Sequence, residues 1–404
     1  MGFLQLVVAA VCPASLFAQT FVWTQTSAPN NANWTSIASS ADGTKLAACC
    51  IYPTIGVYVS TNSGFTWSKV PTPNTENPWS NGNLNCIASS ADGNELVVGG
   101  GTTYSTTNSG YIYYSNSGGS LWYQTYIPGE LFWENWTSIA ESSSGATMIA
   151  AGHYTIFVST DTGSTWSSRA NAPNPRGYWK TVACSADGKK LVATDVIQIY
   201  TSTNTGVNWF LTSAPSNQWS AIASSSDGTK LVACNDYSIG RIYSSTNSGS
   251  SWMQTSAPSN TFWSAVTSSS DGTKLAACSY SANIYFSTNS GSTWTSNSFP
   301  TYVSAMAASA DGTKLFAVFD GGGISIGQLI VPAQNFTAAT GGSGLHLQFT
   351  GAPNCPYILL ATTNLAPPSI WQPVVTNSTD ANGNWSFTDT NVNQYSQRFY
   401  RASQ

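Results

Sequence analysis

Residues 219–252 read WSAIASSSDGTKLVACNDYSIGRIYSSTNSGSSW. Trp219 to Ala223 alternates apolar and small polar residues, the pattern of a half-buried strand. Asp227-Gly228 makes a turn, and Leu231 to Cys234 reads as a second, apolar strand. A loop follows, then a third strand from Ile242 to Ser245. The segment STNSGSSW, Ser245 to Trp252, closes the unit and leads into a fourth strand. Four short strands separated by turn residues form one antiparallel sheet. One such sheet cannot bury both of its faces, so it requires neighbours.

The neighbours are in the same chain. The Asp-Gly turn recurs at Asp42-Gly43, Asp92-Gly93, Asp187-Gly188, Asp227-Gly228, Asp271-Gly272 and Asp311-Gly312, and Ser144-Gly145 is a copy without the acid. The spacing, roughly 40 to 52 residues, is that of a four-stranded propeller blade. The closing segment ends at Trp67, Trp122, Trp166, Trp209, Trp252 and Trp294, and the seventh unit lacks it, running instead to GGGISIGQLI. Its fourth strand is expected from the other end of the chain. Phe21 to Pro29, FVWTQTSAP, matches Ser251 to Pro258, SWMQTSAP, so Trp23 aligns with Trp252. The expectation is an all-β, seven-bladed β-propeller over residues 19–331, closed by the N-terminal strand and without an exposed edge. Such a closed ring is expected to be a monomer.

Composition restricts the partners. Charged residues are 7% of the chain, against roughly 25% in an ordinary soluble protein. Hydrophobic residues are 41% and aromatics 13%, so the surface must be mostly Ser, Thr, Asn and Gly. The net charge is −4 with no basic run, which argues against nucleic acid and against electrostatic docking to a membrane.

Met1 to Ala18, MGFLQLVVAAVCPASLFA, is apolar and precedes polar Gln19-Thr20. It reads as a secretory signal peptide cleaved near Ala18, which makes the protein secreted or held at the surface of a bacterial cell. Cys12 raises a lipoprotein alternative, but Val11 suits it poorly. No other stretch is long enough to span a membrane. Seven cysteines remain after the signal, and Cys49, Cys234 and Cys278 recur at one place in the second strands. They read as small buried apolar residues rather than a disulfide framework. With no CxxC and two histidines, neither a metal nor a cofactor is expected.

The closing segments STNSGFTW, STDTGSTW, STNTGVNW, STNSGSSW and STNSGSTW, with the degenerate SNSGGSLW, resemble Asp-boxes, the BNR repeats of sialidase-type propellers. Here the Asp position is held by Asn62, Asn204, Asn247 and Asn289, and Asp161 alone keeps the acid. A short Asx side chain accepts hydrogen bonds from the amides of a tight turn. The tryptophans Trp67, Trp166, Trp209, Trp252 and Trp294 then pack between blades. The boxes are therefore read as structural.

Antiparallel strands reverse at each turn, so the Asp-Gly turns and the boxes share one face. The other face carries the irregular loops, where binding residues are expected. That face is rich in rings with scattered charges: Glu76, Trp79, Tyr104, Glu130, Phe132, Trp133, Glu134, His153, Tyr154, Arg176, Tyr178, Asp195, Asp236, Tyr237, Arg241, Tyr280 and Asp320. Trp133, Glu134, Tyr154, Arg176, Tyr178, Tyr237 and Arg241 are the ligand-binding candidates, since flat rings with a few polar groups suit sugar faces and hydroxyls.

The sialidase resemblance implies three arginines, a Tyr–Glu nucleophile pair and an Asp. The propeller has only Arg169, Arg176 and Arg241, so sialidase chemistry is not expected. The repeat also resembles xyloglucan-type hydrolases, which use two catalytic Asp between two propellers. Asp195 and Asp236, which follow the second strands of adjacent blades at comparable positions, are the pair a glycoside hydrolase would use, with Asp320, Glu130 and Glu134 as further acids for the centre; such carboxyls stand about 5 Å apart for retention or about 6.5–9.5 Å for inversion. The chain resembles the single seven-bladed propeller of photosystem II assembly factors as well, which bind protein partners without catalysis.

After Val331-Pro332 the repeat gives way to alternating strands such as Leu345 to Phe349, Tyr357 to Ala361, Trp385 to Thr388 and Arg398 to Arg401. A small C-terminal β-sandwich is expected over residues 332–404. Its ending, FTDTN…QRFYRAS, resembles the C-terminal module of exported Verrucomicrobia and Planctomycetes proteins. Arg398 and Arg401 read as clamps on their own sheet or a recognition pair, and His346 as structural. Two functions follow: a non-catalytic extracellular propeller binding a polysaccharide or a surface protein, or a polysaccharide-degrading glycoside hydrolase.

Overall fold

The computed structural model describes residues 20–51, 55–71, 83–101, 110–125, 127, 135–168, 178–236, 240–259, 261–299, 301–331, 333–341, 344–351, 355–367, 369–380 and 382–403. The expected signal peptide, and Trp133, Glu134, Arg176 and Tyr237, lie outside the described residues.

Seven four-stranded sheets follow one another along the chain. Blade five is the repeat in its plainest form: Trp219–Ser224, Leu231–Asn235, Ile242–Ser245 and Met253–Gln254, each strand antiparallel to the next. Blade seven holds Val303–Ala308, Lys314–Phe319 and Ile324–Ile330, and its fourth strand is Thr20–Gln25 from the start of the chain. The Thr26 amide donates to the Ile324 carbonyl at 2.9 Å, and Trp23 packs in the seam between blades six and seven. The N-terminal strand thus closes the ring.

The first strand of each blade lies innermost, and adjacent innermost strands touch all the way round. The residue before each Asp-Gly turn stitches them together. Ala41, Ala91, Ser143, Ala186, Ser226, Ser270 and Ala310 each donate a backbone amide to the carbonyl of the next, and Ala310 donates back to Ala41, at 2.7–2.9 Å. The core lies between blades. Each seam has its own cluster, and each box tryptophan belongs to the seam with the preceding blade: Trp122 between blades one and two, Trp166 between two and three, Trp209 between three and four.

The boxes share the face of the Asp-Gly turns, and bind them. Ser63, Thr205, Ser248 and Ser290 donate their amides to the Asp-Gly hairpins of their own blades, and Thr162 to the Ser144-Gly145 hairpin of blade three. Each box repeats one geometry. In blade five, Asn247 Oδ1 accepts the Ser251 amide at 2.8 Å, and the Ser245 hydroxyl accepts the Gly249 amide at 2.9 Å. Ser248 and Gly249 both have positive φ, 55° and 86°, and these bonds hold the non-glycine residue there. Asp161 does the same work with a carboxylate, accepting the Thr165 amide at 2.9 Å.

The seven cysteines among the described residues are free thiols, six of them buried. Cys49, Cys234 and Cys278 lie beside the hydroxyls of Thr35, Ser220 and Ser264 on the facing strand. Burial pushes their thiols up to about 12, so they pack as small apolar groups.

The chain divides into two compact units, Trp23–Gln328 and Leu329–Gln404, the latter with the chain up to Val22. The C-terminal unit has two three-stranded sheets. One holds Gln334–Gly341, Gly344–Thr350 and Asn384–Asp389; the other holds Gln372–Ser378, Pro356–Thr362 and Phe399–Ser403. Their inner faces meet around Phe349, Tyr357, Leu359, Trp385 and Tyr400. Arg398 is clamped to buried Asp389 at 2.8 Å and lies over the Tyr395 ring, while Arg401 lies over Trp371. His346 meets the Thr388 hydroxyl at 3.1 Å within its own sheet.

Candidate functional site

The irregular face is built from two kinds of segment in each blade: the entry to the innermost strand, and the loop from second to third strand. In blade three that loop is the tight turn Gly152–Thr155, closed by the Gly152 amide on the Thr155 carbonyl at 3.0 Å. It projects His153 and Tyr154. Blade four enters through Tyr178, next to buried Trp179. The three rings meet across the seam: His153 to Tyr178 at 5.0 Å, His153 to Tyr154 at 6.0 Å and Tyr154 to Tyr178 at 6.1 Å. Tyr154 remains 43% and Tyr178 53% exposed, so the cluster presents ring surface outward. Burial lowers the His153 pKa, which keeps the imidazole neutral at neutral pH.

Further round, exposed Tyr280 stacks on Tyr302 at 4.8 Å with planes 7° apart, and its amide donates to the carbonyl of exposed Phe262 at 2.9 Å. Tyr178, Phe262 and Tyr302 occupy the same place in their units, each immediately before a buried residue, Trp179, Trp263 or Val303, at the entry to the innermost strand. Aligning the repeats on that residue would have found Phe262 and Tyr302, which the reading of the sequence passed over.

The two candidate acids do not form a pair of equivalents. Asp195 is 4% exposed and holds its own loop. Its Oδ1 accepts the amides of Ile197 at 2.7 Å and Gln198 at 2.6 Å, and Oδ2 accepts the Tyr200 hydroxyl at 3.3 Å. The structural counterpart of Asp195 in blade five is Asn235, whose Oδ1 accepts the Arg241 amide at 2.7 Å. Asp236 is one residue further on, level with Tyr280 and Asp320. These three donate their amides to the carbonyls of Gln218, Phe262 and Tyr302 in turn. The Asp236 carboxylate is half-buried and pairs with Lys180 of blade four at 3.2 Å. The comparable positions expected of Asp195 and Asp236 are thus corrected by one residue: counted from Lys190 and Lys230, Asp195 is level with Asn235 and Asp236 lies one residue beyond.

Arg241 is drawn away from these groups. Its guanidinium donates to Gln254 at 3.0 Å on the outermost strand of its own blade. Tyr154 and Tyr178 are therefore brought together; Arg241 is not among them. No group of three or more metal-binding side chains occurs among the described residues. No described helix is long and apolar enough to cross a membrane.

The C-terminal unit carries a concavity of about 630 Å³. Gln348, Asn377, Asn384, Thr337 and Ser386 contribute amides and hydroxyls to its lining.

No protein-family profile matches the chain, and no curated protein does. Among solved structures, the chain is similar to a GH74 xyloglucanase from Xanthomonas campestris, with a TM-score of 0.61 and 14% identity over 82% of this chain. The chain spans 60% of that enzyme's length. It is also similar to YCF48 from Cyanidioschyzon merolae, with a TM-score of 0.59, 14% identity, and coverage of 76% of this chain and 98% of the other. YCF48 bound to D1 peptide gives a TM-score of 0.56 at 13% identity, covering 76% and 96%. At these identities the likeness establishes a common propeller fold.

Proposed function

We propose that the chain is a non-catalytic, secreted or cell-surface binding protein, a monomer whose irregular propeller face takes a polysaccharide. The observation that carries this is the exposed ring cluster of His153, Tyr154 and Tyr178. Flat rings stack on the apolar faces of sugars, and neutral His153 adds no charge to repel or attract an ion. The amide- and hydroxyl-lined concavity of the C-terminal unit offers hydrogen-bonding groups of the kind that match sugar hydroxyls. The commitment of Asp195 to its loop, and of Asp236 to Lys180, weighs against acid–base chemistry at that pair.

A glycoside hydrolase is the second reading, favoured by the likeness to a xyloglucanase and by the partial exposure of Asp236. A surface protein is the alternative ligand, since a YCF48 structure of this fold contains a bound peptide.

The test is retention of the purified chain on a panel of insoluble plant and algal polysaccharides, with reducing-end release measured in the same tubes. Retention without release, lost in Tyr154→Ala and Tyr178→Ala, is the expected result. Release abolished by Asp236→Asn would establish the hydrolase instead. Absence of both retention and release would overturn the polysaccharide reading.

A further inference from the structure

Seven copies of one unit make each blade a control for the others. In five blades a lysine stands just ahead of the second strand's first leucine: Lys45, Lys190, Lys230, Lys274 and Lys314. Each aliphatic stem lies against the turn glycine of the next blade, Gly93, Gly228, Gly272, Gly312 and Gly43 in turn. Nζ of Lys230, Lys274 and Lys314 goes on to the main-chain carbonyls of Asp271, Asp311 and Asp42, at 2.7, 2.8 and 3.0 Å. The turn face thus carries ammonium groups at most of its seams.

The seam between blades two and three departs from this twice. Glu95 stands where the lysine should be, and its stem lies against Gly145. Glu141, the last residue of the innermost strand Ser138–Glu141, stands where blades one, two, five and six have Ser39, Ser89, Ser224 and Ser268. The two departures converge. A Cβ placed on Gly145 would be 2.5 Å from Cβ and Cγ of Glu95, and 3.2 Å from Oε2 of Glu141.

Both oxygens of Glu141, and Oε2 of Glu95, are shielded from solvent and make no hydrogen bond among the described residues. The residue Glu141 as a whole keeps some exposure, but its carboxylate does not. The neighbouring turn acid differs: Asp92 accepts the Ser90 hydroxyl at 2.7 Å, the Asn94 amide at 3.0 Å and the Asn94 side chain at 2.7 Å. A buried carboxylate with neither counter-charge nor hydrogen bond is costly and calls for a partner. Lys45 does not supply one, since its Nζ is directed to Asn94 at 2.8 Å.

We propose that Glu95 and Glu141 hold a hard divalent cation of the calcium class at the seam between blades two and three. It stands in for the ammonium that the repeat places at five of the other six seams. The donors select the class. They are carboxylate oxygens, which suit a cation that takes about six to eight oxygen ligands. A site with only two carboxylates falls in the weak range of extracellular calcium modules, about 10⁻⁴–10⁻³ M.

The experiment is thermal unfolding of the full chain, stripped with EDTA, across a calcium chloride titration centred on about 1 mM. The variants are Glu141→Ser and Glu95→Lys. Each installs the residue that the repeat itself uses elsewhere, so the blade is retained. Calcium is expected to raise the wild-type Tm saturably by about 2–4 °C, and to leave both variants unchanged. Glu95→Lys is expected to exceed wild type in EDTA, because its ammonium reaches Glu141. A wild-type Tm that ignores calcium, or a calcium shift that survives in both variants, overturns the proposal. A Tm that follows pH but no cation also overturns it, and assigns the pair a shared proton.

Discussion

The backbone amide of Ala310 donates to the carbonyl of Ala41 at 2.7 Å, so the turn of the last blade grips the turn of the first. On the outer rim the same two ends are joined through Trp23, whose ring packs against Gly327 of blade seven and edge-on against Phe299 at 5.0 Å. Trp23→Ala should therefore act on the whole ring rather than on one strand. A loss of about 3 kcal/mol in unfolding free energy is expected, from the lost packing of a large ring. Urea denaturation measures it; an effect below about 1 kcal/mol would mean that the ring holds without this strand.

The closing turns separate geometry from charge. Asn247→Ala removes the acceptor of the Ser251 amide and should cost about 1 kcal/mol. Asn247→Asp keeps that acceptor, as Asp161 does in blade three, and should remain within about 0.5 kcal/mol of wild type. Equal losses in the two variants, read by calorimetry, would show that the amide nitrogen rather than the oxygen matters.

Acid should loosen the turns on the same face. The Ser225 hydroxyl and Thr229 amide hold the Asp227 carboxyl down to about 2. At Asp271, burial acts upward but is outweighed by hydrogen bonds from Ser269 and Thr273, again to about 2. Their unfolded values are about 3.9, so this stabilisation is complete above about pH 4 and is lost as pH falls toward 2. Glu141 acts in the opposite sense. Burial first, then the charges of Glu95 and Asp92, push its carboxyl well above the ordinary range. Its favourable protonated state is complete below about pH 4.3 and is lost as pH rises through the raised folded value. In EDTA, Glu141→Gln should raise Tm at pH 7 to 8 and match wild type below about pH 4, which a pH series of melting curves checks.

Asp195→Asn tests the loop role of that acid. The variant weakens two charge-assisted bonds to the amides of Ile197 and Gln198 and should lower stability by about 1–3 kcal/mol. A folded, equally stable variant that loses polysaccharide cleavage would instead make Asp195 an acid of the reaction.

The propeller was legible because its signals are local and repeated: a two-residue turn, an Asx side chain five residues before a tryptophan, and alternation in short strands. Closure by the N-terminal strand was legible too, from the match of Trp23 to Trp252. The site was less so. Tyr154 and Tyr178 are both conspicuous in the sequence, but their meeting depends on the width of a seam, which ring closure sets and no local pattern states. The one-residue offset of Asp195 against Asp236 was in the sequence, where KLVATD at 190–195 aligns with KLVACN at 230–235, and the matching hydrogen bonds of Asp195 and Asn235 agree with it. Glu95 and Glu141 were visible as departures from the repeat, but a departure acquires meaning only when two of them share a seam. Trp133, Glu134, Arg176 and Tyr237 lie beyond what the described residues can address.

The strand that completes the seventh sheet precedes blades one to six along the chain, and its three partners follow them. Blades one to six are each assembled from consecutive residues and can form as their own segments emerge. The seventh must bridge roughly 300 residues. A logarithmic closure cost makes that about 3 kcal/mol more demanding in entropy than closing a 15-residue hairpin. Until then the growing arc presents an unpaired edge at one end and an uncovered seam at the other, both open to the wrong neighbour. Folding of this chain is therefore expected to be gated by a single late event, and any carrier that keeps the two ends apart will keep the ring open.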